Sequence, residues 1–122
     1  MDGRQRKGKE YEARAARMLQ RAGLAILTRN YSCRMGEIDL VCQDGTTLVF
    51  VEVRYRGNPR FASAAASIDG AKRRRLLNTA QFYLQHDHQA GKQACRIDVV
   101  AFGDAQGSGK DEIQWLKNAI TL

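Results

Sequence analysis

Four charged side chains at alternating positions carry the chemistry this sequence offers. Glu37 and Asp39 lie in Gly36-Glu37-Ile38-Asp39-Leu40-Val41, and Glu52 and Arg54 lie in Phe50-Val51-Glu52-Val53-Arg54-Tyr55-Arg56. Both segments are rich in Val, Ile, Leu and Phe, and Asp44-Gly45-Thr46-Thr47 separates them, which is the pattern of a β-hairpin. Side chains in a strand reach the same face every second residue, so Glu37 shares a face with Asp39, and Glu52 with Arg54. A two-residue loop at Asp44-Gly45 sets Asp39 opposite Phe50 and Glu37 opposite Glu52; a four-residue loop from Asp44 to Thr47 sets Asp39 opposite Glu52. Either register leaves Asp39 and Glu52 on one face, and only a three-residue loop or a bulge parts them.

Carboxylates that face each other across neighbouring strands repel, and more strongly in a partly desolvated cleft. A hard divalent cation such as Mg²⁺, which takes carboxylate oxygens and keeps several waters, offsets that repulsion. The alternative is a solvated face on which Glu37, Asp39, Glu52 and Arg54 form ordinary cross-strand pairs.

The hairpin needs elements to hold it. Tyr11, Ala15, Met18, Leu19 and Ala22 recur at helical spacing, which predicts an amphipathic helix from about Gly8 to Ala22, stopped by Gly23 and preceded by a frayed stretch at 1–7. Glu12 sits beside the apolar stripe, where it either points along the core toward the sheet or pairs locally with Lys9; spacing favours the local pair. Leu24 to Thr28 reads as a first strand, with Arg29-Asn30-Tyr31-Ser32 leading to the hairpin. Gly57-Asn58-Pro59 ends the third strand. Phe61 to Ser67 is rich in small residues and reads as a loop over the site or a surface for another chain, including a second copy. A second helix is predicted over Asp69–Gln85, with Asp69 as N-cap and Leu76, Leu77, Ala80, Tyr83 and Leu84 as its stripe. Lys72-Arg73-Arg74-Arg75 in its first turns surround the helix, so at least one base must lie near the sheet. Cys95 to Phe102 reads as a strand parallel to an earlier one, reached by a right-handed crossover. Ile113 to Leu116 reads as a final strand, with Lys117 to Leu122 a helical turn or a tail.

The 122 residues suit one domain, with 43% apolar and 27% charged residues. No apolar run reaches bilayer length and none follows the N-terminal charges, so a cytoplasmic chain without a membrane partner is expected. Cys33, Cys42 and Cys95 are odd in number and widely spaced, so buried reduced thiols are expected rather than disulfides or zinc. The net charge of +7 is unevenly spread. Residues 1–34 carry +6, residues 35–53 carry −4, residues 54–75 carry +6 and the remainder −1. An acidic hairpin between basic flanks can hold a cation while its surroundings hold a polyanion, although the same bases also serve solubility.

The order helix, three strands, helix, strand resembles the restriction-endonuclease-like PD-(D/E)xK nucleases, an α/β fold with an αβββαβ core. More closely, the Gly36–Val41 and Phe50–Arg56 segments, with Arg96-Ile97-Asp98-Val99-Val100, resemble the YraN family, which is similar to Holliday junction resolvases. The resemblance covers nearly the whole chain. It implies that Asp39 and Glu52, with the Val53 carbonyl, are ligands of Mg²⁺ or Mn²⁺, that Glu12 supports them, and that DNA is the partner. Arg54 stands where the superfamily has lysine, and Ile38 where it has proline. An arginine stays protonated, so Arg54 can hold a phosphate and offset charge but cannot help deprotonate water.

Three functions compete on this basis. The first is an endonuclease for branched or distorted DNA, with Arg54, Arg56, Lys72 and Arg73 on the backbone. The second is a nucleic-acid-binding module without turnover, and the third a scaffold whose basic surface aids solubility. No zinc finger, basic zipper or aromatic stacking platform appears, so shape and backbone charge would dominate recognition.

Overall fold

The computed structural model describes residues 3–56, 68–87, 92–103 and 112–121. Along the chain these form α1 (Gly3–Arg21), β1 (Ala25–Cys33), β2 (Gly36–Asp44), β3 (Thr47–Arg56), α2 (Gly70–His86), β4 (Ala94–Gly103) and β5 (Glu112–Ile120). The five strands lie in one mixed sheet in sequence order. All neighbours are antiparallel except β3 and β4, which pair in parallel across the connection through α2. The predicted Gly57-Asn58-Pro59 stop and the 61–67 segment fall outside the described residues.

The two helices cover opposite faces. On one face Leu76, Ala80 and Tyr83 of α2 pack on Val41, Leu48, Phe50, Ile97 and Val99. On the other, Ala15, Ala16 and Leu19 of α1 pack on Leu40, Cys42, Val49, Val51, Val100 and Phe102. The alternation along β3 therefore puts Leu48 and Phe50 under α2, and Val49 and Val51 under α1.

Helix α1 begins five residues before the start that its stripe predicts. Its first turns contain only Gly among poor helix formers, and Arg, Lys and Gln extend a helix readily. Ala16 replaces Ala22 in the buried stripe, and Ala22 is exposed. The end is a Schellman motif: Leu24 N–H donates to Leu19 O and Gly23 N–H to Gln20 O, both at 3.0 Å, with Gly23 at φ 100°. Helix α2 begins where expected, because Asp69 Oδ1 accepts from Lys72 N–H at 2.8 Å.

Strand β1 runs to Cys33, so Arg29 to Ser32 are strand residues rather than a lead-in. As an edge strand it buries little, and its polar sequence hides it. Gly36, just past the β1–β2 turn, has φ 145° and lies so close to α2 that an added Cβ would stand 2.9 Å from Thr79 Oγ1. Thr79 cannot yield easily, since it is fully buried and donates to Arg75 O at 2.6 Å. Gly36→Ala is expected to cost about 1–3 kcal/mol from backbone strain and contact. Urea unfolding checks this, and a loss near zero would show that the turn can move away from α2.

Strand β5 also outruns its prediction. It continues through Lys117 to Ile120, past a register shift at Asn118, whose φ is 51°. Asp98 makes that shift possible. Its buried carboxylate accepts from Asn118 N–H at 2.8 Å, Trp115 Nε1 at 2.9 Å and Arg96 Nε at 3.0 Å, and Arg96 reaches on to Asp44 Oδ2 at 3.0 Å. The three thiols are free, but only Cys42 is buried; Cys33 and Cys95 are half-buried. No helix among the described residues is long and apolar enough to cross a membrane.

Candidate functional site

The hairpin adopts the register in which Gln43 faces Leu48, and it closes more tightly than a four-residue loop because Asp44 also pairs with Thr47 around Gly45-Thr46. Continued by one step past Leu40–Val51, this register sets Asp39 opposite Glu52. Backbone pairing between β2 and β3 nevertheless stops at Leu40–Val51, while β2 remains paired with β1 back to Gly36 and β3 with β4 on to Arg56. The sheet thus opens into a seam between its second and third strands, and the acids stand at its mouth.

Asp39 bridges the seam. Its Oδ2 accepts from the Val53 N–H at 2.8 Å, a bond that fixes the carboxylate. The strand is irregular here: Ile38 and Val41 both face the α2 core, so strict alternation fails between them. Asn30, which the flanking β1–β2 pairs place across from Asp39, has φ 55°, a conformation that Asn tolerates better than most residues.

Glu52 points to the α2 side, where only 5% of the residue is exposed. Lys72 of α2 lies with Nζ 3.0 Å from Glu52 Oε1. Asp39, Glu52, Lys72, Arg75 and Leu76, together with Gly36 and Glu37, line an open cleft of about 300 Å³. Glu12 approaches from α1. It turns inward rather than toward Lys9, and Asn30, with its amide nitrogen toward α1, donates to Glu12 Oε1 at 2.8 Å and Oε2 at 3.1 Å.

Both glutamates are reluctant to ionise. Burial raises Glu52 to about 7, reinforced by the charge of Asp39; Lys72 and Arg54 oppose the shift without overcoming it. Burial also raises Glu12 to about 7, with hydrogen bonding to Asp39 and its charge adding to the effect and Asn30 opposing it. A native carboxyl titrating near 7 against an ordinary value of 4.5 binds more protons than in the unfolded chain between those limits. Its stabilising contribution is complete below about 4.5 and lost as pH rises through about 7. Thermal or urea melts are expected to show stability falling from pH 5 to pH 8, by up to about 3 kcal/mol from Glu52. Glu52→Gln should flatten that slope; an equally steep slope in the variant would show that Glu52 is not its source.

The remaining predicted residues divide. Arg54 is near enough to act on Glu52 by charge, and its Nε is buried without a hydrogen-bond partner among the described residues. Val53 enters through its amide, which donates to Asp39. Arg73 is exposed and does not line the cleft, whereas Arg75 does. Their difference is helical phase, since Arg75 and Leu76 lie one turn beyond Lys72 on the same side. The Arg56 side chain lies outside the described residues. Asn30 escaped the sequence reading, and Arg75 entered it only as part of the 72–75 run; an Asn flanked by strand residues and the three-residue step from Lys72 were the available signals.

Among the described residues no three His, Cys, Asp or Glu side chains form a ready-made metal cage. Asp39 and Glu52 still fit a hard divalent ion, because Mg²⁺ is commonly held by one or two carboxylates with waters and substrate phosphate completing its shell. Glu12 and Glu52, each desolvated and each repelled by Asp39, would gain from positive charge, and the donor set is all oxygen.

A family model described as "Uncharacterised protein family UPF0102" matches residues 11–102, which include α1 from Tyr11, the seam and β4. A UPF0102 protein of Pseudomonas fluorescens is 45% identical over 116 residues, covering 95% of this chain and 94% of that protein. One from Nitrosococcus oceani is 48% identical over 116 residues, covering 95% and 92% respectively. One from Pseudomonas aeruginosa is 43% identical over 114 residues, covering 93% and 91%.

Proposed function

We propose that this chain, which belongs to the uncharacterised protein family UPF0102, is a metal-dependent endonuclease acting on branched or distorted DNA. The observation that carries the reading is the meeting of Asp39 and Glu52 at the open seam of the sheet, in a cleft whose other wall is Lys72 and Arg75. Acids for a cation and bases for a polyanion stand side by side there.

Asp39 and Glu52 would hold Mg²⁺ or Mn²⁺. The ion, when bound, supplies the charge that polarises a phosphoryl group and activates water. The Val53 N–H keeps the Asp39 carboxylate at a fixed angle, and Glu12 with Asn30 braces it from the α1 side. Arg54 and Arg75 contribute permanent positive charge that binds phosphate oxygens and offsets charge developing on the scissile group. The unsatisfied Arg54 Nε is a donor with bonding capacity to spare.

The test is incubation with a four-way junction and with linear duplex in Mn²⁺. Cleavage of the junction, abolished by chelation, supports the proposal. A second reading, binding without turnover, draws on Arg54, which cannot act as a base. It leads to binding that weakens steeply with salt and to no product at any Mn²⁺ concentration, an outcome that would remove the nuclease reading.

A further inference from the structure

We infer that Lys72 is a resident counter-cation that competes with a divalent ion for Glu52 and is drawn off by phosphate, so that nucleic acid and metal bind cooperatively. The inference rests on the metal-dependent reading above and adds a regulation of the same site.

The geometry of Lys72 sets it apart from its neighbours in the basic run. Its backbone is pinned at the start of α2, where Lys72 N–H donates to the Asp69 cap. From that fixed point the side chain reaches Glu52, whose side chain is 6% exposed while that of Lys72 is 38% exposed. The ammonium therefore stands between a buried carboxylate and open solvent, in the cleft that the proposed phosphate would enter. Arg75, one turn further on, lines the same cleft and can steer a phosphate toward it.

An ammonium at 3.0 Å from Oε1 occupies a position that a cation on Glu52 would need. Since no three-residue cage exists among the described residues, a divalent ion here depends on few protein ligands. Losing one oxygen to Lys72 therefore weakens it substantially. Lysine is a point charge on a flexible stem, so it can swing to a phosphate oxygen while Asp69 holds its backbone in place. Phosphate in the cleft then does two things at once: it frees Glu52 and adds negative charge beside the ion. By linkage the ion must favour phosphate to the same degree.

The experiment is calorimetric titration of Mn²⁺ into wild type and Lys72→Met, each with sulfate or with chloride at equal ionic strength. Sulfate serves as the phosphate probe. Lys72→Met is expected to bind Mn²⁺ about tenfold more tightly than wild type in chloride, within the usual range of coupling between sites. Sulfate is expected to tighten wild type by about fivefold or more and to tighten Lys72→Met clearly less, since only the charge beside the ion is left to act there. Equal affinities of the two proteins in chloride, or wild type indifferent to sulfate, would overturn the inference while leaving the metal site standing. Absence of Mn²⁺ binding in both proteins would remove the metal site as well, and the inference with it.

Discussion

Asp39→Ala and Glu52→Ala are each expected to cut Mn²⁺-dependent cleavage of branched DNA by on the order of 10³-fold or more, with DNA binding retained or slightly strengthened. The two effects separate because the acids and bases of the cleft do different work. In the proposed site, removing a carboxylate would take away a ligand for the cation, yet it would also remove a negative charge that repels the phosphate backbone. Asp39 has a second role through the 2.8 Å bond from Val53 N–H, so its loss also frees the mouth of the seam. Glu52→Ala leaves Lys72 without its partner and more available to phosphate. Paired cleavage and anisotropy assays check both halves. Cleavage that survives both substitutions would assign the activity to a contaminant or another site, and loss of binding in parallel would point to misfolding.

The second large effect concerns stability. Asp98→Ala is expected to destabilise the domain by about 3–5 kcal/mol, because it removes one side of a buried, hydrogen-bonded charge pair. Three donors lose their acceptor together: the Arg96 guanidinium, the Trp115 indole N–H and the Asn118 backbone N–H. Arg96 keeps Asp44, so part of its charge remains compensated. The shift in β5 at Asn118 loses the bond that holds it, and β5 should detach first. Against a usual total of about 5–15 kcal/mol the loss is a large fraction. Urea unfolding monitored by Trp115 fluorescence reads it directly, and a change below about 1 kcal/mol would show that water replaces Asp98 without difficulty.

The same residue shows where sequence reading reached its limit. Arg96-Ile97-Asp98-Val99-Val100 was legible as a strand because Ile97, Val99 and Val100 surround the acid, but nothing local indicated that Asp98 would hold the end of the chain. The last strand was consequently expected to stop near Leu116. The bounds and cap of helix α2 were legible as local signals, but Thr79 takes a buried place in its stripe while Leu77 and Leu84 are only half-buried. The hairpin was legible to within two registers, and the tight turn at Gly45-Thr46 selected between them. Glu12 was misjudged because Lys9 is near in sequence, whereas Asn30 and Asp39 become near only when α1 packs on the sheet. For the same reason an aromatic cluster packed on the fully buried Phe102 was not apparent. Tyr11, Tyr55 and Phe102, from α1, β3 and β4, come together with centroid spacings of 5.0 and 4.9 Å under Arg14.

The early end of pairing between β2 and β3 makes the sheet two panels, joined along Leu40–Asp44 and Thr47–Val51 and parted beyond. Asp39 rides on one panel and Glu52 on the other. The distance between them is therefore set by an angle, with the Asp39–Val53 bond acting as a latch across the gap. Ile38 on one panel and Val99 and Ala101 on the other share a single core, which limits how far that angle can open.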